Sequence, residues 1–145
     1  MGYLALGIGL PLVEGGAAGR EQALRTVDTL AVTGAVCLGL KALTREQRPD
    51  GSGHDSFPSW HAAAAFGVAT VQSQYHPKQA PLWFGGAVLI SASRVAEHRH
   101  YVHDAIGGAA LGYFAARLEL ARLHGFVIFP FLDRSGKGVQ VSRAF

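Results

Sequence analysis

Residues 104–124 read DAIGGAALGYFAARLELARLH. Asp104 opens the stretch and Arg122 and His124 close it, the charge order that complements a helix macrodipole. Only Arg117 and Glu119 carry charge in between, and no proline interrupts the run. The stretch predicts a helix from Asp104 to about His124. Gly107, Gly108 and Gly112 leave it locally bare, so another helix can approach closely. Such a helix belongs inside a bundle, in a membrane or in water.

Working outward, three more helices of the same kind are predicted. EQALRTVDTLAVTGAVCLGLKAL, Glu21 to Leu43, follows the Gly-rich LVEGGAAG. It stops in TREQRPDGSGHDSFP, where the residue before Pro49 is biased away from helix. SWHAAAAFGVATVQSQY, Ser59 to about Tyr75, is punctuated by Pro58 before it and Pro77 after it. PLWFGGAVLISASRVA, Pro81 to about Ala96, is the last. No internal repeat appears, so the expectation is one domain over 1–145: a compact all-α helical bundle over about 1–125 and a short tail over about 126–145. The tail alternates around DRSGKG and reads as a small hairpin or an irregular end. The N-terminal MGYLALGIGLPLVEGG is apolar, has no basic region and is short for a signal peptide or a spanning helix. It reads as the remnant of a longer helix in a trimmed chain.

Composition limits the functions. Apolar residues make up 49% and charged residues 16%, below the roughly 25% of ordinary soluble domains. That excludes a disordered chain and suits a tightly packed bundle in or on a membrane. No charge-free apolar run reaches the roughly 18 residues of a spanning helix, since each stops near a dozen. The net charge of +3 suits an anionic partner. Lys/Arg runs with interleaved aromatics are absent, which argues against nucleic acid. Cys37, alone in an apolar run, reads as a small core residue.

If the helices alternate up and down, the segments 41–60 and 97–104 share one end. That end holds EHRHYVHD, residues 97–104, with three of the seven histidines. As a metal site this stretch is poorly spaced. His98 and His100 face different sides of a helix, His103 and Asp104 are neighbours, and no HExxH or CxxC accompanies them. As a site of covalent catalysis it is well spaced. Asp104, four residues after His100, can hold one ring nitrogen and leave the other as a nucleophile. A phosphoryl group would need cations on its oxygens, and Lys41, Arg48 and Arg94 lie at that end. His61, in the first turn of its helix beside Ser59, is the candidate acid for a leaving alkoxide.

Three pieces in order resemble the type 2 phosphatidic acid phosphatase superfamily, which also contains bacterial acid phosphatases, lipid phosphate phosphatases and vanadium haloperoxidases. They are KALTREQRP (Lys41–Pro49), PSWH (Pro58–His61) and SRVAEHRHYVHD (Ser93–Asp104). The resemblance implies a metal-independent phosphatase with no cofactor, acting on a phosphate monoester or pyrophosphate, either lipid-linked or a small ester. It implies that His100 becomes phosphohistidine, that Asp104 orients it, and that His61 protonates the leaving group and then activates water. It implies that Lys41, Arg48, Ser59, Arg94 and the Trp60 backbone N–H bind phosphate.

Trp60 stands where the family has glycine, so its bulk must run along the mouth or into lipid. His98 and His103 match no motif position and read as mouth-lining or surface residues; His54 and Asp55 fall in a loop nearby, and His76 and His124 at the other end. Two alternatives are a vanadium-dependent haloperoxidase, whose known members are far longer, and a non-catalytic phosphate-binding protein. Membrane association is expected, with the site facing the periplasm or cell exterior. Arg20, Arg25, Lys78, Arg122, Arg134 and Lys137 fall at the end away from the site, which agrees with that orientation. The exposed apolar area of a short bundle suits lipid or a homo-oligomer.

Overall fold

A computed structural model describes residues 2–121. The chain forms five α-helices: α1 (Gly2–Glu14), α2 (Gly16–Thr44), α3 (Trp60–Tyr75), α4 (Ala80–Ala96) and α5 (Val102–Ala121), with one 3-10 turn at Pro77–Gln79. The described residues contain no strand, so the expected all-α bundle is what the chain adopts. The expected tail over 126–145 and the expected helix end over 122–124 lie outside the described residues.

α3 is the central helix. Ala62, Ala63, Ala64, Ala65, Val68, Ala69 and Val71 are buried, and α2, α4 and α5 pack around them. Small side chains at these positions bring backbones together. A Cβ at Gly112 would collide with the Ala63 carbonyl, and one at Gly108 with the Ser59 carbonyl. α3 and α5 therefore cross backbone to backbone, and that crossing sets the distance between Ser59 and Asp104 at its upper end. Ala65, Val68 and Ala69 also meet Trp83 and Ala87 of α4, and Tyr3 of α1 donates a hydrogen bond to the Trp83 carbonyl at 2.6 Å.

The N-terminal stretch forms α1. Pro11 sits inside α1 and has no N–H to give the Gly7 carbonyl. Gln72 of α3 supplies the missing donor, with Nε2 at 2.6 Å from Gly7 O. α2 starts five residues earlier than the sequence implied. Of the Gly-rich LVEGGAAG only Gly15 lies outside a helix; Gly15 and Gly16 are both at positive φ, and α2 begins at Gly16.

α2 is long and apolar enough to cross a membrane by length and composition, although no charge-free run within it reaches 18 residues. Gly16–Thr44 contains an 18-residue window of mean hydropathy 1.4 once isolated charges are tolerated. Those charges turn inward: Asp28 is fully buried, and Arg25 reaches Glu119 of α5, its NH1 2.7 Å from the backbone carbonyl. Arg25 also pairs with Glu21 at 2.9 Å. It is thus a buried, paired group rather than one of the free positive charges counted for orientation.

Candidate active site

Two connections build the upper end of the bundle. The first, residues 45–59, leaves α2 through Arg45 in a left-handed cap whose N–H returns to Lys41 O at 3.0 Å. It folds back on itself through Arg48 N to Gly53 O and Ser56 N to Glu46 O, both 2.9 Å. A cis Phe57–Pro58 bond follows, and Ser59 caps α3. The second connection, residues 97–101, is pinned to the end of α4. The N–H groups of Arg99 and His100 both approach the Arg94 carbonyl, at 3.0 and 3.3 Å. The Ser59 N–H donates to the Asp104 carbonyl at 3.0 Å and stitches the two connections together.

Asp104 is the centre of this end. It is fully buried in the first turn of α5. Its Oδ2 accepts from the Ser56 hydroxyl at 2.5 Å and from the Tyr101 N–H at 2.8 Å. The same oxygen lies 3.5 Å from Nδ1 of His100, within ion-pair range and without hydrogen-bond geometry. Such contacts commonly tighten only when substrate is in place. His100 is 3% exposed. Burial, then the Lys41 and Arg48 charges, hold its imidazole below the ordinary histidine value, against the pull of Asp104 and the Ser56 carbonyl. With Nδ1 turned towards the Asp104 carboxylate, Nε2 is the nitrogen on the opposite side of the ring.

The cations surround this pair. Lys41 Nζ donates to the carbonyls of Asp55 and Ser56. Arg48 makes a two-pronged pair with Asp55, at 2.8 and 2.9 Å. That contact holds the Asp55 carboxyl below the usual carboxylate range. A pocket of about 540 Å³ opens beside them, lined by Lys41, Ala42, Arg45, His54 and Asp55. Arg94 is half-buried and paired with Glu97 at 2.9 Å. His61 is exposed in the first turn of α3. Partial burial, then the Arg94 and Arg48 guanidiniums, hold it below the ordinary histidine value, with Glu97 opposing.

The structure thus joins Lys41, Arg48, His100 and Asp104 through direct contacts and near charges. Arg94 and His61 stand at the same mouth but outside the lining of the pocket. The Ser59 side chain is fully buried and accepts from Ala62 N at 3.5 Å, so its hydroxyl faces the helix turn it caps. The indole of Trp60 is partly exposed. It lies on α2 over Gly34, whose added Cβ would sit 3.4 Å from the ring.

Two residues with no role in the sequence reading belong to the site. Ser56 holds Asp104; its one sequence signal is a position three residues before Ser59. His103 touches Asp104 as well, with Nε2 3.2 Å from Oδ1 and 2.7 Å from Oε1 of Glu46.

The sequence model of the PAP2 superfamily matches residues 22–126. A lipid A 1-phosphatase from Porphyromonas gingivalis is 36% identical over 76 residues, covering 49% of this chain and 17% of that protein. The chain thus matches less than a fifth of that relative's length. No solved structure matches. The chain belongs to the PAP2 superfamily.

Proposed function

From membership of the PAP2 superfamily, we propose that this protein is a phosphatase that removes a phosphoryl group from a lipid-linked monoester or pyrophosphate through a phosphohistidine. The observation that carries the reading is the Asp104 carboxylate, fixed by Ser56 and the Tyr101 N–H and facing Nδ1 of a buried, neutral His100.

His100 Nε2 attacks phosphorus, the P–O bond to the leaving group breaks, and a P–N bond forms. The proton on Nδ1 stays between the ring and Asp104, which stabilises the positive imidazolium. His61 gives its proton to the departing oxygen. A substrate phosphoryl group raises the affinity of His61 for that proton, because its negative charge offsets Arg94 and Arg48. Water then attacks phosphorus, His61 takes its proton, the P–N bond breaks and inorganic phosphate leaves. Lys41, Arg48 and Arg94 neutralise the oxygens, and the Trp60 N–H at the start of α3 adds a donor. Arg48 meets the phosphoryl group only by sharing or leaving Asp55, so the carboxylate keeps the fork in position and competes with substrate.

The surface supports a lipid substrate at a membrane. Leu38, Leu43, Leu82 and Leu89 are large exposed apolar side chains on α2 and α4, and α2 is long and apolar enough to cross a bilayer. An apolar groove of about 500 Å³ between α4 and α5 includes Val95, which follows Arg94, and Val102, two residues after His100. The site then faces the periplasm or cell exterior, and the same apolar faces suit lipid or a second copy of the chain.

The test is phosphate release from an aryl phosphate with chelator present, followed by rapid acid and alkaline quench. Wild type should turn over and yield an acid-labile, alkali-stable phosphoenzyme; His100→Ala should do neither. Turnover that survives in His100→Ala would refute the reading.

A further inference from the structure

His103 Nε2, Glu46 Oε1 and Asp104 Oδ1 lie within 4.8 Å of one another. The sequence reading rejected a metal at EHRHYVHD because the ligands within that stretch were badly spaced. The fold changes the donor set by bringing Glu46 from the end of α2, 57 residues away. Tetrahedral ligands at about 2.0–2.2 Å from zinc stand roughly 3.3 Å apart. The His103–Asp104 separation of 3.2 Å fits that edge, and the His103–Glu46 separation of 2.7 Å needs only a small opening.

Two further observations point to a ligand. Asp104 is fully buried, yet its Oδ1 has no hydrogen-bond partner, while Oδ2 has two. The nearest donor, His103 Nε2 at 3.2 Å, lies outside hydrogen-bond geometry, and a cation at that point would satisfy the oxygen. The His103 ring is also fixed in place, stacked on Tyr101 with centroids 5.3 Å apart and on Phe57 at 6.1 Å. Its Nε2 is therefore held towards both carboxylates. One imidazole and two carboxylates with the outer side open to water make a three-ligand site for a borderline first-row dication.

We propose that Glu46, His103 and Asp104 bind a divalent transition-metal ion, with zinc as the probe, and that the bound ion inhibits the enzyme. Charge drawn towards Oδ1 is withdrawn from Oδ2, so Asp104 stabilises the His100 imidazolium less. The binding half is independent of the phosphatase reading; the inhibitory half rests on it.

The test titrates the full chain, without a histidine tag, with Zn²⁺ against a chromophoric chelator. Turnover of an aryl phosphate is followed in parallel. One ion per chain is expected, with inhibition reversed by chelator. His103→Asn and, separately, Glu46→Gln should weaken both binding and inhibition by at least about tenfold. His98→Asn should change neither. Glu46→Gln stands alone should His103→Asn not fold. No binding at micromolar Zn²⁺, or binding lost in His98→Asn but kept in the other two variants, overturns the site. Binding without inhibition of an active enzyme overturns the inhibitory half. Absence of turnover in the metal-free enzyme refutes the phosphatase reading and leaves the binding result to stand.

Discussion

The Ser56 hydroxyl lies 2.5 Å from Oδ2 of Asp104, and both side chains are fully shielded from solvent. A hydrogen bond to a charged carboxylate is worth about 1.5–3 kcal/mol. Its donor is held by its own backbone, since Ser56 N donates to Glu46 O and the Ser56 carbonyl accepts from Lys41. Ser56 is therefore a positioning residue for Asp104. Ser56→Ala should lower kcat by about ten- to a hundredfold and leave KM nearly unchanged, measured with an aryl phosphate. Equal loss in kcat and in folded fraction, with normal kcat per folded molecule, would reduce Ser56 to a structural role.

His100 sets the acid limit of the enzyme. Its folded value lies below the ordinary one of about 6.5, chiefly through burial. The neutral nucleophile persists above that lowered value and is lost as pH falls through it. The acid limb of the kcat/KM profile should thus fall below pH 6.5. Stability has the same sign. In the window between the two values the unfolded chain binds a proton that the folded chain does not, so stability falls with pH until the folded value is passed. Thermal unfolding of His100→Gln should show a flatter dependence across that window than wild type.

Trp60 and Gly34 act as a pair. The indole crosses to α2 where Gly34 has no side chain. A Cβ there meets the ring at 3.4 Å, an ordinary contact, and alanine improves helix propensity by about 1 kcal/mol. Gly34→Ala should therefore keep or raise the unfolding temperature. Gly34→Leu should lower it by several degrees and alter KM, because the displaced indole moves the start of α3. Unfolding scans of both variants decide this, and an unchanged Gly34→Leu protein would contradict it.

What was legible in the chain was local. KALTREQRP, PSWH and SRVAEHRHYVHD fix residue types at short spacings, and Lys41, Arg48 and Asp104 lie near enough for their charges to act on His100. Contacts across long separations were not legible. Glu46 reaches His103 from 57 positions away, and Gln72 reaches Gly7 from 65. The isolated charges of α2 misled for a related reason. Arg25 looks like a surface charge until the burial of Glu119 beside it is seen. Glycines were ambiguous in both directions, since Gly15 separates two helices while Gly112 lies inside one and marks a backbone crossing.

The groove between α4 and α5 should set chain-length preference. Its walls are Phe66, Val88, Val95, Val102, Ile106 and Ala109 among others, and the Ser91 hydroxyl among them is turned back to Ala87 O at 2.8 Å. No wall group therefore asks for a polar partner. Val88 to Ala96 on α4 spans about 12 Å at 1.5 Å per residue, room for part of an acyl chain whose phosphate lies by Arg94. Each methylene buried there contributes about 0.8 kcal/mol, so excluding two costs about tenfold. Ala109→Trp fills the groove from α5, away from the phosphate cations. In a mixture of long-chain and short-chain lipid phosphates, the variant should lose about tenfold in the ratio of the two kcat/KM values. That ratio is independent of how much enzyme is folded, and the milder Ala109→Leu should move it in the same direction. An unchanged ratio in both variants would mean that the acyl chain lies elsewhere on the bundle.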